Sequence, residues 1–270
     1  MDGLPRNTAI IGYASRAAML ATCLTLIAGT SSAQATAKSA TAVEPGAVDA
    51  LRRMGAYLRT LQHFGVSGET IRDEILRDGQ KIEVGGTIKY VVRTPDRFRA
   101  EVKTDRKQRQ IFYDGKLLTV YAPRMHYYAS APAPSTVGAT LDSARKRFGI
   151  ELPLADLFLW GTARDGVSDL TSAQYIGPAY VDGTDTDQYA FRQRGVDWQL
   201  WIARGNVPLP RKLVITTTSE PSEPRFAAML TWDLTPPVGD PVFAFVPPKD
   251  AARIVFASFG ATETKKPVRQ

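Results

Sequence analysis

From Gly65 to Ser130, apolar and polar residues alternate in short runs separated by turn residues. A period of two predicts strands. Val66–Leu76 and Lys81–Val92 flank Asp78-Gly79, a hairpin pair. Phe98–Thr104 and Gln108–Tyr113 flank the charged turn Asp105-Arg-Lys107. Asp114-Gly115 leads into Leu117–Tyr121, and Pro123-Arg124 into His126–Ala129. Connections this short join only antiparallel neighbours, so this half reads as a meander. The pattern returns at Gln174–Val181 and Thr186–Arg194, across Asp182-Gly183, then at Val196–Ala203 and Arg211–Thr218. Arg225–Asp233 is the last long run, with Phe226, Ala228, Leu230 and Trp232 on one face.

Two stretches change period. Pro45 opens a predicted helix to about Gln62, with Val48, Leu51, Met54, Leu58 and Leu61 on one face. Thr136–Phe148 is the second, with Val137, Leu141, Ala144 and Phe148 aligned and Gly149 as its stop. Pro153 begins a third, short helix, Leu154–Trp160, apolar almost all round and ended by Gly161. Such a helix is buried or covers an apolar cavity. The fold class is therefore α+β: helices on one face of a large antiparallel sheet. About ten or eleven strands are too many for a flat open sheet, so strong curvature into an unclosed half-barrel is expected. One domain is expected over 45–262, followed by a disordered tail at 263–270.

The first 33 residues belong to another pattern. Arg6 and Arg16 precede the apolar run Ala17–Gly29, and Ser31-Ser-Ala33 supplies small residues beside a cut. This reads as a cleaved secretory signal and places the product in the periplasm, with 34–44 as a flexible leader. No later run is long and apolar enough to span a membrane. The only cysteine, Cys23, lies in the removed part, so no disulfide or thiolate site is expected. Leu20-Ala-Thr-Cys23 departs from a lipoprotein box, because Thr precedes the cysteine and the apolar run continues beyond it. Removing Asp2, Arg6 and Arg16 lowers the formal charge from +7 to +6. That bias suits work near anionic lipid or an envelope polymer. It does not suit a nucleic-acid binder, since no predicted helix gathers the basic residues.

Catalytic patterns are absent. His63 and His126 fall in different elements without ligand-spaced partners. Asp182-Gly-Thr-Asp-Thr-Asp187 lacks the glycine position and closing glutamate of a calcium loop. Glu69, Glu74, Glu83 and Glu101 sit on strands as a solvated face would place them. No enzyme activity, cofactor or metal is expected. Aromatic residues stand out instead: Tyr113, Tyr121, Tyr127 and Tyr128 cluster, and Trp198 and Trp201 point to opposite faces of one strand.

Several stretches resemble one family. Val92-Arg-Thr-Pro-Asp-Arg-Phe-Arg99, Phe112-Tyr-Asp-Gly-Lys-Leu-Leu-Thr-Val-Tyr-Ala-Pro123, Tyr127-Tyr-Ala129, Leu152-Pro-Leu-Ala-Asp-Leu157, Asp197-Trp-Gln-Leu-Trp-Ile202, Leu209-Pro-Arg-Lys-Leu213 and Phe243-Ala-Phe-Val-Pro-Pro248 are similar to the DUF2092 family of bacterial periplasmic proteins. That family is similar in turn to the LolA/LolB/LppX superfamily of lipoprotein and lipid carriers. The resemblance implies a bent, unclosed barrel with a helical lid over an apolar cavity, and a lipid or acylated ligand. Phe112, Leu118, Val120, Leu157 and Phe158 are the expected cavity wall, together with Trp160, Trp198, Leu200 and Trp232. Arg93 is expected at the rim, where a cation would meet a lipid head or hold a lid carbonyl. Thr94 stands where the lipoprotein carrier has its arginine, directly before the proline, and a one-residue shift turns a strand side chain to the other face. Asp187-Gln-Tyr-Ala-Phe-Arg192 lacks the histidine of the family's corresponding strand. Two alternatives stand beside a carrier: an envelope interaction or scaffolding module with a self-filled core and no ligand, docking on a partner protein or anionic lipid, and an exported hydrolase.

Overall fold

The two sheet halves join through strands far apart in sequence. The computed structural model describes residues 43–257. The expected signal, most of the expected leader and the expected tail at 263–270 lie outside the described residues. In chain order the elements are α1 (Pro45–Thr60), β1 (His63–Ile75), β2 (Lys81–Arg93), β3 (Arg97–Thr104), β4 (Gln108–Tyr113), β5 (Leu117–Ala122) and β6 (Tyr127–Pro132). Then come α2 (Val137–Phe148), β7 (Ser172–Val181), β8 (Thr184–Gln193), β9 (Val196–Ala203), β10 (Pro210–Thr216), β11 (Arg225–Asp233), a short α3 (Asp240–Phe243) and β12 (Ala252–Arg253). All twelve strands form one sheet, ordered β12-β6-β5-β4-β3-β2-β1-β11-β10-β9-β8-β7. The edge strands β12 and β7 do not pair, so the sheet curves without closing.

Register explains the core. Val66 aligns with Tyr90, then Ala100, Ile111, Val120 and Ala129, crossing six strands on one face. In the other half, Ala228 aligns with Leu213, Leu200 and Tyr189. Cross-strand partners share a face, so these rows make one continuous apolar surface. The apolar stripe of α1, including Val48, Leu51, Met54 and Leu58, is buried in the same cluster. Thr136 caps α2 by accepting the Ala139 N–H, and Gly149 ends it at φ 62.

The expected helix at Leu154–Trp160 is corrected. Only Ala155–Phe158 winds, as a 3₁₀ turn, after Leu154 at φ 61. The irregular backbone, released at Gly161 with φ 74, lets Leu152, Leu154, Leu157, Phe158 and Trp160 all be buried. A Cβ on Gly55 of α1 would lie 2.5 Å from the Gly161 nitrogen, so helix and turn touch backbone to backbone.

The segment after β11 was not anticipated. It crosses the outer face of the sheet. Phe243 is fully buried, and Phe245 sits 5.1–5.5 Å from the rings of Phe112, Tyr121 and Tyr128. The segment then pairs in parallel with β6. We call residues 236–256 the strap.

Candidate functional site: a groove beneath a cover segment

Residues 150–170 cover the concave face. Phe158 inserts into the core, with ring centroids 6.3 Å from Phe64, 6.0 Å from Tyr90 and 6.4 Å from Phe98. The cover's backbone bonds are local: Leu157 N–H to Leu154 O, Trp160 N–H to Asp156 O, and Ile150 N–H to Ala144 O of α2. Among the described residues, no backbone hydrogen bond ties 151–170 to the sheet. Side chains do that work. Tyr90 Oη donates to Pro153 O at 2.5 Å, Gln193 Nε2 donates to Gly166 O at 2.7 Å, and Arg164 pairs with Asp142 on α2. A segment held by side chains and apolar contacts opens at lower cost than one laced into a ladder.

Two cavities flank this cover. One, about 320 Å³, lies between Leu159, Trp160 and Asp156 of the cover and Val196, Trp198, Leu213 and Ile215 of β9 and β10. The other, about 560 Å³, is lined by Leu141, Ile150, Leu152, Leu154, Leu159, Ile215 and Phe226, with Arg72, Arg145 and Glu151 among its polar groups. Asp156, Leu159 and Ile215 belong to both, so they adjoin as one groove. Both volumes fall within the usual range for a small-molecule site.

The structure distributes the predicted wall unevenly. Leu118, Leu157, Phe158, Trp160, Trp198 and Leu200 are buried in the concave cluster, and Val120 and Trp232 are half-buried against it. Only Trp160 and Trp198 line a cavity. Phe112 is a correction: its neighbours Ile111 and Tyr113 face the core, so it points outward, against Phe245 and beneath the Arg99 guanidinium. Arg93 is the second correction. Val92 and Phe98 face inward, so Arg93 and its cross-strand partner Arg97 lie on the outer face. Arg93 does hold a carbonyl, but that of Val238 in the strap, at 2.9 Å. It also pairs with Asp240 at 2.7 Å and covers the Phe243 ring. Leu159, Ile215, Leu141, Ile150 and Phe226 were missed as groove residues; Ile215 and Phe226 share their strand faces with Leu213 and Ala228, a signal that was available.

Arg93→Leu should therefore loosen the strap rather than the groove. The expected result is a melting temperature lower by roughly 2–4 °C, as for one charge-assisted hydrogen bond in a domain of this size. Acyl ligand occupancy should be unchanged; differential scanning fluorimetry and lipid extraction check the two halves.

Electrostatics bear on the cover. Burial pushes the Tyr90 phenol up, so it remains a donor to Pro153. Asp156 is exposed as a whole residue, yet its carboxyl is desolvated by the groove wall and its pKa is raised. A raised folded-state pKa means that ionising Asp156 opposes folding. Stability should thus rise as pH falls through the folded pKa toward the ordinary carboxylate value, and Asp156→Asn should abolish this component. Hydrogen exchange of the cover amides, corrected for intrinsic rate, reads it. The pair Arg192–Asp197 works oppositely: Arg192 lowers the Asp197 pKa, and its contribution is lost in acid.

Three buried N–H groups have no acceptor among the described residues: Arg97 Nε, Arg211 Nε and Trp198 Nε1. The histidines stay apart from the groove. His63 is exposed at the start of β1, and His126 Nδ1 lies 2.6 Å from Asp250 Oδ2 at the exposed sheet edge. Among the described residues, no three His, Cys, Asp or Glu side chains converge as a metal site, and no helix is long and apolar enough to cross a membrane.

Several solved structures align with much of the chain. An uncharacterised conserved protein of Thermus thermophilus aligns at 12% identity over 78% of this chain and 99% of its own, with TM-score 0.45. Lipoprotein LppX of Mycobacterium tuberculosis aligns at 12% identity over 73% and 98%, with TM-score 0.44. A LolA superfamily protein of Nitrosomonas europaea aligns at 13% identity over 74% and 97%, with TM-score 0.36. No curated protein matches the sequence. Residues 47–257, nearly all of the described chain, match the family model described as predicted periplasmic protein, and the chain belongs to that family, DUF2092.

Proposed function

We propose that this protein is a non-catalytic periplasmic carrier or binding protein for an acyl-chain ligand, held between the concave sheet and the cover. One observation carries the reading: two adjoining, largely apolar cavities lie beneath a segment that no backbone hydrogen bond ties to the sheet. Such a cover can lift and reseat without breaking a ladder. Apolar burial stabilises a bound chain by about 0.8 kcal/mol per methylene, so affinity needs no catalytic group. The family's periplasmic description supports an envelope setting. A second reading, a scaffolding module without a ligand, is favoured by one fact: α1, Phe158 and Leu157 already fill much of the concave face.

Ile215 separates the two readings, because it sits where the cavities meet. Wild-type protein should take up an environment-sensitive fluorescent fatty-acid probe. Ile215→Trp, which fills the junction, should weaken uptake at least about tenfold. Absent uptake by both proteins, or equal uptake, would favour the scaffold.

A further inference from the structure

Beside the larger cavity, α2 ends in three consecutive cations. Arg145, Lys146 and Arg147 are exposed, and Arg145 also lines the cavity with Leu141 and Ile150. The Arg147 guanidinium covers the Phe148 ring, and Phe148 stacks on Phe256 of the strap at 4.5 Å. This stack joins the end of α2 to the end of the strap. Ile254 and Val255 directly precede Phe256 and are 48% and 91% exposed. Val255 is the most exposed large apolar side chain among the described residues. Lys249 and Arg253 are exposed on the same segment.

The fold does not use these cations internally. Among the described residues, none of Arg145, Lys146, Arg147, Lys249 and Arg253 forms an ion pair. Over 137–151 and 249–257, Asp142 pairs with Arg164 and Asp250 with His126, which leaves Glu151 as the unpaired carboxylate. Beyond Ala257 the sequence adds Lys265, Lys266 and Arg269 against Glu263. Cations in a last turn complement the helix dipole, which accounts for their place on α2. It does not account for two aliphatic side chains held out in water beside them. A cationic surface with protruding aliphatics fits the headgroup region of an anionic bilayer, where charge attracts and apolar side chains reach hydrocarbon. An acidic protein would match the charge but would also have to supply an apolar recess for Val255. The bilayer, moreover, holds the acyl chains that the neighbouring cavity would take.

We propose that this edge, the end of α2 together with the end of the strap, docks on an anionic lipid bilayer. Ile254 and Val255 enter the headgroup layer, the cations meet lipid phosphates, and the larger cavity lies beside the membrane surface. The choice of a bilayer over a protein rests in part on the acyl-binding reading above. Vesicle binding is measured without an acyl probe, so the two can fail separately.

Co-sedimentation with vesicles of phosphatidylcholine, alone or mixed with phosphatidylglycerol, tests it on protein purified from periplasm. Binding should require phosphatidylglycerol and weaken steeply as salt rises. Lys146→Ala combined with Arg147→Ala should weaken it at least about tenfold, since each basic side chain at an anionic surface is worth about fivefold. Val255→Asp should weaken it about tenfold as well, and should leave the melting temperature unchanged because the side chain it replaces is exposed. Tyr180→Asp is the control for net charge: Tyr180 is 71% exposed on β7, the other edge strand, and binding should stay within about twofold of wild type. Absent binding, equal binding to the two kinds of vesicle, wild-type binding by Val255→Asp, or the same loss in Tyr180→Asp as in Val255→Asp overturns the docking edge. If the vesicles bind as expected while a fluorescent fatty-acid probe is refused, the docking edge stands and the acyl-binding reading fails.

Discussion

Phe158→Ala is expected to cost about 3–5 kcal/mol, the range for removing a buried aromatic ring. In a domain of this size that corresponds to a fall in melting temperature of roughly 10 °C. The reason lies in what the ring touches. Phe158 is 8% exposed and packs on Phe64, Tyr90 and Phe98, three residues of three adjacent strands. It is the main apolar anchor of a cover that lacks backbone ties to the sheet. The void left behind borders the concave cluster, so a saturating acyl ligand should restore part of the loss by binding only the folded state. Thermal unfolding with and without ligand measures both effects. A near-neutral substitution would mean that the cover does not seat through this ring.

Gly55→Val is the second large effect, from overpacking rather than loss. The new Cβ would stand 2.5 Å from Gly161 N and 2.8 Å from Gly161 Cα. From the other side, a Cβ on Gly161 would stand 2.4 Å from Gly55 O. Backbone atoms on both sides leave no flexible side chain to give way. Either α1 withdraws from the sheet or the cover lifts, and a cost of about 3 kcal/mol is expected. Gly46 is the control: it lies in the same helix, and a Cβ there would have nothing within 4 Å. Gly46→Ala should be neutral or slightly stabilising, since alanine is the better helix former. Denaturant unfolding of both variants reads the contrast; equal effects would place the loss in helix propensity instead of the α1–cover contact.

Alternation made most of this architecture legible in the sequence. The eleven long strands, α1 and α2 lie where period and turn residues place them, because a half-buried strand and an amphipathic helix each stamp their geometry on the chain. The strap was not legible by that route. Phe243 and Phe245 sit in a proline-rich stretch without periodicity, and only the outward aromatics Phe112, Tyr121 and Tyr128 hinted that the outer face needed covering. The face of Phe112 was misjudged for a related reason. Ile111, Phe112 and Tyr113 are all apolar and all buried, so alternation is silent about which of them faces the core. Arg93 moved for the same reason in reverse: its partner is contributed from 147 residues downstream. The backbone of the cover was illegible because apolarity all round specifies burial and not winding.

An acyl chain in the groove beneath the cover is what the proposed function requires. Native mass spectrometry of the full chain, expressed with export and purified from periplasm without detergent, tests it most directly. The expected spectrum shows the protein with one co-purified acyl lipid, identified after release and reduced in Ile215→Trp. A spectrum of bare protein alone, unchanged after incubation with a mixed lipid extract, would contradict the account.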